Sequence, residues 1–192
     1  MLVLWALIMA CVLPEAVLTM ADWGLIGSLR WRTVAYQNGA FWAGLLRDWQ
    51  PNFAAQPVTM FATHAFLHAG PAHLIGNMLA LALIWQRLIH RWGQGHLLMV
   101  YALSTLGGGV GFAALSTSPA PMVGASGAIF GLAGVAVVDA RHNRSTSLMV
   151  IAGLIALNLG VWWWQNGQLA WQTHLGGFLA GATVAAALRK PT

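Results

Sequence analysis

The sequence predicts an all-α fold: a polytopic membrane protein, a single domain over residues 1–192 with six transmembrane helices. Three observations carry this. Hydrophobic residues make up 58% of the chain and charged residues 7%, against about 25% charged in an average soluble domain. The apolar stretches reach or approach the roughly 20 residues that a helix needs to cross the hydrocarbon core. The basic residues cluster in alternate connections between those stretches, which is the pattern that sets topology. A net charge of +5 built this way points to orientation in a lipid bilayer and away from a nucleic-acid partner.

The first span is expected over residues 2–20. Pro14 and Glu15 lie in its second half, so Glu15 is placed near a surface or against other helices, in a structural role. Cys11 is the only cysteine, which excludes an internal disulfide and a cysteine-based metal site. A leader peptide ending at Cys11 is the alternative reading of this segment. No basic stretch precedes its apolar run, which favours a retained span.

Residues 21–56 form a long first loop. Asp22, Arg30, Arg32, Arg47 and Asp48 are interspersed there with Trp23, Trp31, Trp42 and Trp49, a mixture suited to the membrane–water boundary. The part from Phe41 to Trp49 reads as a short interfacial helix. The second span is expected over residues 71–88, with Pro71 in its first turn. The third covers 96–115, where Gly107, Gly108, Gly109 and Gly111 permit tight packing. The fourth, fifth and sixth cover 126–139, 147–164 and 171–188.

Arg87 and Arg91 follow the second span, Arg141 and Arg144 the fourth, and Arg189 and Lys190 the sixth. The connections 116–122 and 165–170 carry no basic residue. Both termini are therefore expected on the cytoplasmic side. Arg30, Arg32 and Arg47 oppose this, in a longer segment where the bias is weaker.

That topology gathers polar groups at the outer face. Ser126 opens the fourth span within Val123-Gly124-Ala125-Ser126-Gly127, after a turn signal at Ser118, Pro119 and Pro121. The free N–H groups and positive dipole end of a helix start stabilise negative charge there. His174 opens the sixth span, and His73 and Asn77 share one face of the second. Gly127 and Gly131 follow Ser126, and Gly177 and Gly181 follow His174. Small residues at that spacing let two backbones approach closely, which brings the Ser126 hydroxyl within reach of the His174 ring. The alternative is that the glycines only pack helices and Ser126 fills space.

Serine beside histidine suffices for nucleophilic catalysis. His73, Asn77 and the Ser126 N–H could donate to an oxyanion. Asp139 stands thirteen residues after Ser126, roughly 20 Å along a helix, so no carboxylate completes a triad and a Ser–His pair is read. Phe130 lies four residues after Ser126, on the same face, and is expected to pack on His174. His64-Ala65-Phe66-Leu67-His68 has helical metal-ligand spacing but lacks the glutamate of His-Glu-x-x-His. His64 and His68 are read as bracing the loop into the second span, with no metal.

Together these pieces resemble the rhomboid intramembrane serine proteases. The matching stretches are His64-Ala65-Phe66-Leu67-His68, His73-Leu74-Ile75-Gly76-Asn77-Met78, Gly124-Ala125-Ser126-Gly127, and His174-Leu175-Gly176-Gly177 with Gly181, in the family's order. The resemblance implies a six-helix rhomboid-like bundle, a Ser126 nucleophile, a His174 base, an oxyanion site at His73 and Asn77, and Gly124 in the loop before the serine. It implies transmembrane protein substrates cut near the outer face of a bacterial inner membrane, with no cofactor. Three positions depart from the better-known bacterial pattern. Phe130 replaces a tyrosine, Ile89 a glutamate, and Thr59-Met60 a Trp-Arg pair. The alternatives are a non-proteolytic relative that binds membrane helices and a small-solute transporter. Ser126 and His174 favour the protease, because a binder needs neither, and no central charged pathway supports transport.

Overall fold

The computed structural model describes residues 1–140, 144–164 and 169–188. Arg141, Arg189 and Lys190, part of the basic pattern above, lie outside the described residues. The named elements are all helical: α1 (Leu2–Asp22), α2 (Trp31–Gly39), α3 (Gln56–Thr63), α4 (Pro71–Leu115), α5 (Ser126–Asp139), α6 (Arg144–Trp164) and α7 (Trp171–Leu188). Among the described residues two helices, α1 and α4, are long and apolar enough to cross a membrane. The helix α5 is apolar but shorter, at 14 residues.

The expected second and third spans are the two helical arms of α4, which part at Gly93. Nothing between Ile89 and Gly95 is a proline or a turn-forming Asn or Asp, so helical pairing continues up to Gly93. Gly93 alone is non-helical, at φ 70° and ψ 162°, a region that glycine enters without a Cβ penalty. The two arms run back alongside each other. His73 in the first arm and Gly108 in the second both lie against the start of α5. Gln94 at the break accepts the N–H of Val3 at 3.1 Å, and Arg91 pairs with Asp139 at 3.0 Å. The bundle therefore has one end holding Gly93, Val3 and Asp139, and an opposite end holding Ser126, His73 and the long first loop.

The first loop is more ordered than its composition suggests. It contains α2, which the sequence reading did not anticipate. The expected interfacial helix from Phe41 to Trp49 is only a 3-10 turn, Ala43–Leu46. Phe41 is the reason. Its ring is fully buried, edge-on to Phe61 at 4.8 Å and to Phe112 at 5.8 Å. Its backbone exchanges two 2.9 Å hydrogen bonds with Met122, an extended pairing that a helix would forbid. Phe41, Ala43, Met60, Phe112 and Met122 form a small second core over the site end.

Arg32 anchors this loop to α1. Its guanidinium reaches Glu15 at 2.8 and 2.9 Å, Asp22 at 2.6 Å and the carbonyl of His68 at 2.9 Å. Glu15, only 2% exposed, thus has a charge partner, as a buried carboxylate requires.

The main core packs α4, α5 and α7 through glycine. A Cβ on Gly177 or Gly181 would run into the carbonyl oxygens of Gly127 or Gly131, respectively, and one on Gly176 into that of Gly107. A Cβ on Gly111 would come within 2.6 Å of the Gln172 carbonyl oxygen. Backbone oxygens cannot swing aside as a side chain can. Gly→Ala normally helps a helix interior by about 1 kcal/mol, whereas overpacking costs about 1–3 kcal/mol. Gly181→Ala should therefore lower the thermal midpoint of the protein in detergent. Gly153→Ala in α6, with open space around it, should leave the midpoint unchanged or raise it. Equal midpoints for both variants would refute the close seam.

Candidate active site

Ser126 is the first residue of α5, and the chain is steered into it by Gly124. Gly124 has φ 123°, which disfavours any side chain. A Cβ there would also lie 2.8 Å from Cε1 of His73. The Gly124 N–H donates to the carbonyl of His64 at 2.9 Å, and Met122 is held by Phe41. The loop ahead of the serine is thus pinned on both sides of Val123.

His174 lies in the first turns of α7, largely buried. Its Nε2 is 2.9 Å from Ser126 Oγ. Its Nδ1 is 2.6 Å from Oδ1 of Asn158 on α6. The Phe130 ring stacks on the imidazole, with centroids 4.2 Å apart and planes 2° from parallel. The imidazole therefore has a partner at each nitrogen and a ring on one face. Oδ1 accepts, so the proton of the neutral ring sits on Nδ1 and Nε2 offers its lone pair to the serine hydroxyl.

The sequence reading missed Asn158. The signal was present: a lone amide in the apolar run of α6. Polar groups inside a span usually find a partner on another helix, but which partner depends on how α6 packs. Asp139, set aside as too distant, is at the opposite end with Arg91.

His73 and Asn77 flank the space beside Gly124. The Nδ1 of His73 accepts the Ala69 N–H at 3.2 Å, which leaves Nε2 protonated and close to Gly124. Asn77 Nδ2 donates one hydrogen to the carbonyl of His73 at 3.0 Å. Its second N–H remains for another acceptor. The site end thus combines a hydroxyl on a proton acceptor with two side-chain donors beside Gly124, two residues before that serine.

His64 and His68 lie behind this group. His64 Nδ1 donates to the carbonyl of Met60 at 2.8 Å, while its own carbonyl holds Gly124. The His68 carbonyl accepts from Arg32 and from the Tyr36 hydroxyl, the latter at 2.7 Å. The His68 ring stands 5.2 Å from the His73 ring. Among the described residues, no three His, Cys, Asp or Glu side chains converge as a metal site would need. Of the three departures, Met60 is buried in the second core, Ile89 packs against the main core, and Phe130 supplies the stacking face.

A family model described as the Rhomboid domain matches residues 55–191. Rhomboid protease GluP of Bacillus subtilis is 35% identical over 133 residues, covering 67% of this chain and 26% of that protein. RHOMBOID-like protein 5 of Arabidopsis thaliana is 37% identical over 123 residues, covering 60% and 39%. RHOMBOID-like protein 2 of the same plant is 32% identical over 165 residues, covering 81% and 44%. The chain thus spans between about a quarter and just under half of the length of these relatives.

Two expectations follow from the site. For a catalytic Ser126–His174 pair, Phe130→Tyr should keep the stack and leave turnover within a fewfold of wild type. Phe130→Ala should reduce turnover and stability together, with about 3–5 kcal/mol as the upper range for a buried Phe→Ala change. Full turnover in a stable Phe130→Ala protein would remove the stack from the mechanism. The second concerns acid. Burial pushes His64 and His68 down to about 4, so both are neutral when folded, while the unfolded chain takes up protons below about 6.5. The stability they contribute is complete above about 6.5 and is lost as the pH falls through about 4. Thermal midpoints should decline over that window; a flat profile from 6.5 to 4.5 would contradict their burial as neutral rings.

Proposed function

The chain belongs to the rhomboid family of integral membrane proteins, and from that premise we propose that it is an intramembrane serine endopeptidase. The observation that carries this reading is the 2.9 Å contact of Ser126 Oγ with His174 Nε2. Ser126 attacks the scissile carbonyl carbon while His174 Nε2 takes its proton. The carbonyl oxygen gains the negative charge, stabilised by the Nε2–H of His73, the free N–H of Asn77 and the Ser126 N–H at the helix start. Collapse breaks the C–N bond, and His174 returns the proton to the leaving amine. Water, deprotonated by His174, then hydrolyses the acyl ester.

The substrates are transmembrane proteins cut near the outer face of a bacterial inner membrane. The six crossings are α1, the two arms of α4, and α5, α6 and α7, with both termini cytoplasmic. The basic residues Arg87, Arg91 and Arg144 support this orientation, because they fall at the end of the bundle opposite Ser126. The reaction needs no metal or other cofactor.

Ser126→Ala and His174→Ala should abolish cleavage of a transmembrane reporter in proteoliposomes without unfolding the protein. A serine-directed fluorophosphonate should label Ser126 and no other serine. Asn77→Ala should lower kcat more than it raises KM, by about 10²–10³-fold for one lost oxyanion donor. Wild-type cleavage by purified Ser126→Ala would sink the assignment.

A further inference from the structure

The serine–histidine chemistry gives no role to Asn158, whose amide touches the base. We propose that Asn158 is a positioning residue for the base. It holds the His174 Nδ1–H, selects the tautomer whose Nε2 faces Ser126, and supports the imidazolium that forms when Nε2 takes the serine proton. This rests on the Ser126–His174 reading.

Three features of the geometry carry it. The Nδ1–Oδ1 separation is 2.6 Å, short even for a charge-assisted bond. The amide is itself oriented, because Nδ2 donates to the carbonyl of Leu154 at 2.9 Å. Only the oxygen is left to face the imidazole. The third feature is what Phe130 cannot do. A stacked ring fixes the plane of the imidazole but is indifferent to its rotation by a half-turn, which would swing Nε2 away from the serine. An acceptor on the Nδ1 edge removes that degeneracy.

The charges around the base leave this task to an amide. The chain has four acidic residues. Glu15 and Asp22 are engaged by Arg32, Asp139 pairs with Arg91 at the far end, and Asp48 is exposed in the first loop. From α4, the titratable group at this end of the site is His73, beside Gly124. From α5 the ring meets Ser126 and Phe130, and from α6 it meets Asn158. A neutral acceptor selects the tautomer without burying a further charge among apolar helices.

The test follows fluorophosphonate labelling of Ser126 and reporter cleavage against pH, in wild-type protein and in Asn158→Leu and Asn158→Asp. Asn158→Leu should slow both reactions about 10- to 100-fold, the range for losing one hydrogen bond to a charged group, with KM little changed. Asn158→Asp should recover the rate at high pH and move the acid limb of kcat/KM upward, since a carboxylate favours the imidazolium. Nitrogen-15 signals of His174 in folded Ser126→Ala protein should show the neutral ring protonated on Nδ1. Wild-type rates in Asn158→Leu, an unmoved acid limb in Asn158→Asp, or a ring protonated on Nε2 would each overturn the role of Asn158 while the protease reading stands. Failure of wild-type protein to label at Ser126 would overturn both.

Discussion

The distance between α5 and α7 is the constraint on which everything at the site depends. Gly127 and Gly131 face Gly177 and Gly181 so closely that a single added Cβ would meet backbone oxygen. Ser126 is the residue before the first of these glycines, and His174 lies just ahead of the opposing pair. The 2.9 Å contact between them is therefore inherited from the backbone approach. Separating the helices by the width of one methyl group would carry the pair beyond hydrogen-bond range. Association of apolar helices in a bilayer gains little from hydrophobic transfer and depends on such packing. The same seam thus serves cohesion and the proposed chemistry.

A second constraint comes from placing polar groups in an apolar bundle. A partner within the protein offsets the cost of burying such a group. At the site this produces a chain of dependence across three helices: Leu154 orients Asn158, Asn158 meets His174, and His174 meets Ser126. Away from it, Arg32 binds Glu15, Asp22 and the His68 carbonyl together. That cluster ties α1 and the first loop to the turn that leads into His73. The loop is therefore a structural clamp on the site end and not a free cover.

These two constraints also explain what could be read in advance. Helix locations, the glycine spacing and the serine at a helix start are local properties, recorded in apolar runs and turn residues. The second and third spans were legible as two apolar runs and are the two arms of α4; that the turn between them narrows to Gly93 is a matter of backbone geometry that an apolar pattern does not record. Phe41 looked interfacial because aromatic residues among charges usually are; its burial depends on Phe61, Phe112 and Met122, which are distant in sequence. Asn158 and Glu15 were visible as polar interruptions, but their partners stand 16 and 17 residues away. Periodicity assigns a residue to a face and says nothing about which side chain meets it there.

The loop from Ser116 to Ala125 shows how the parts combine. Arg47 donates to the Ser116 carbonyl at 3.0 Å, Phe41 pairs with Met122, and His64 accepts from Gly124. Each fastening comes from the segment between α1 and α4, and that segment is itself held by Arg32. A loop rich in Ser and Pro would otherwise sample many conformations. Only one of them aims the start of α5 so that the serine hydroxyl meets Nε2 while the free donors of His73 and Asn77 lie to one side. In the proposed mechanism the long first segment contributes without supplying a reacting group: it spends conformational freedom in the folded protein before substrate arrives, which is the condition for an oxyanion site to act without reorganising.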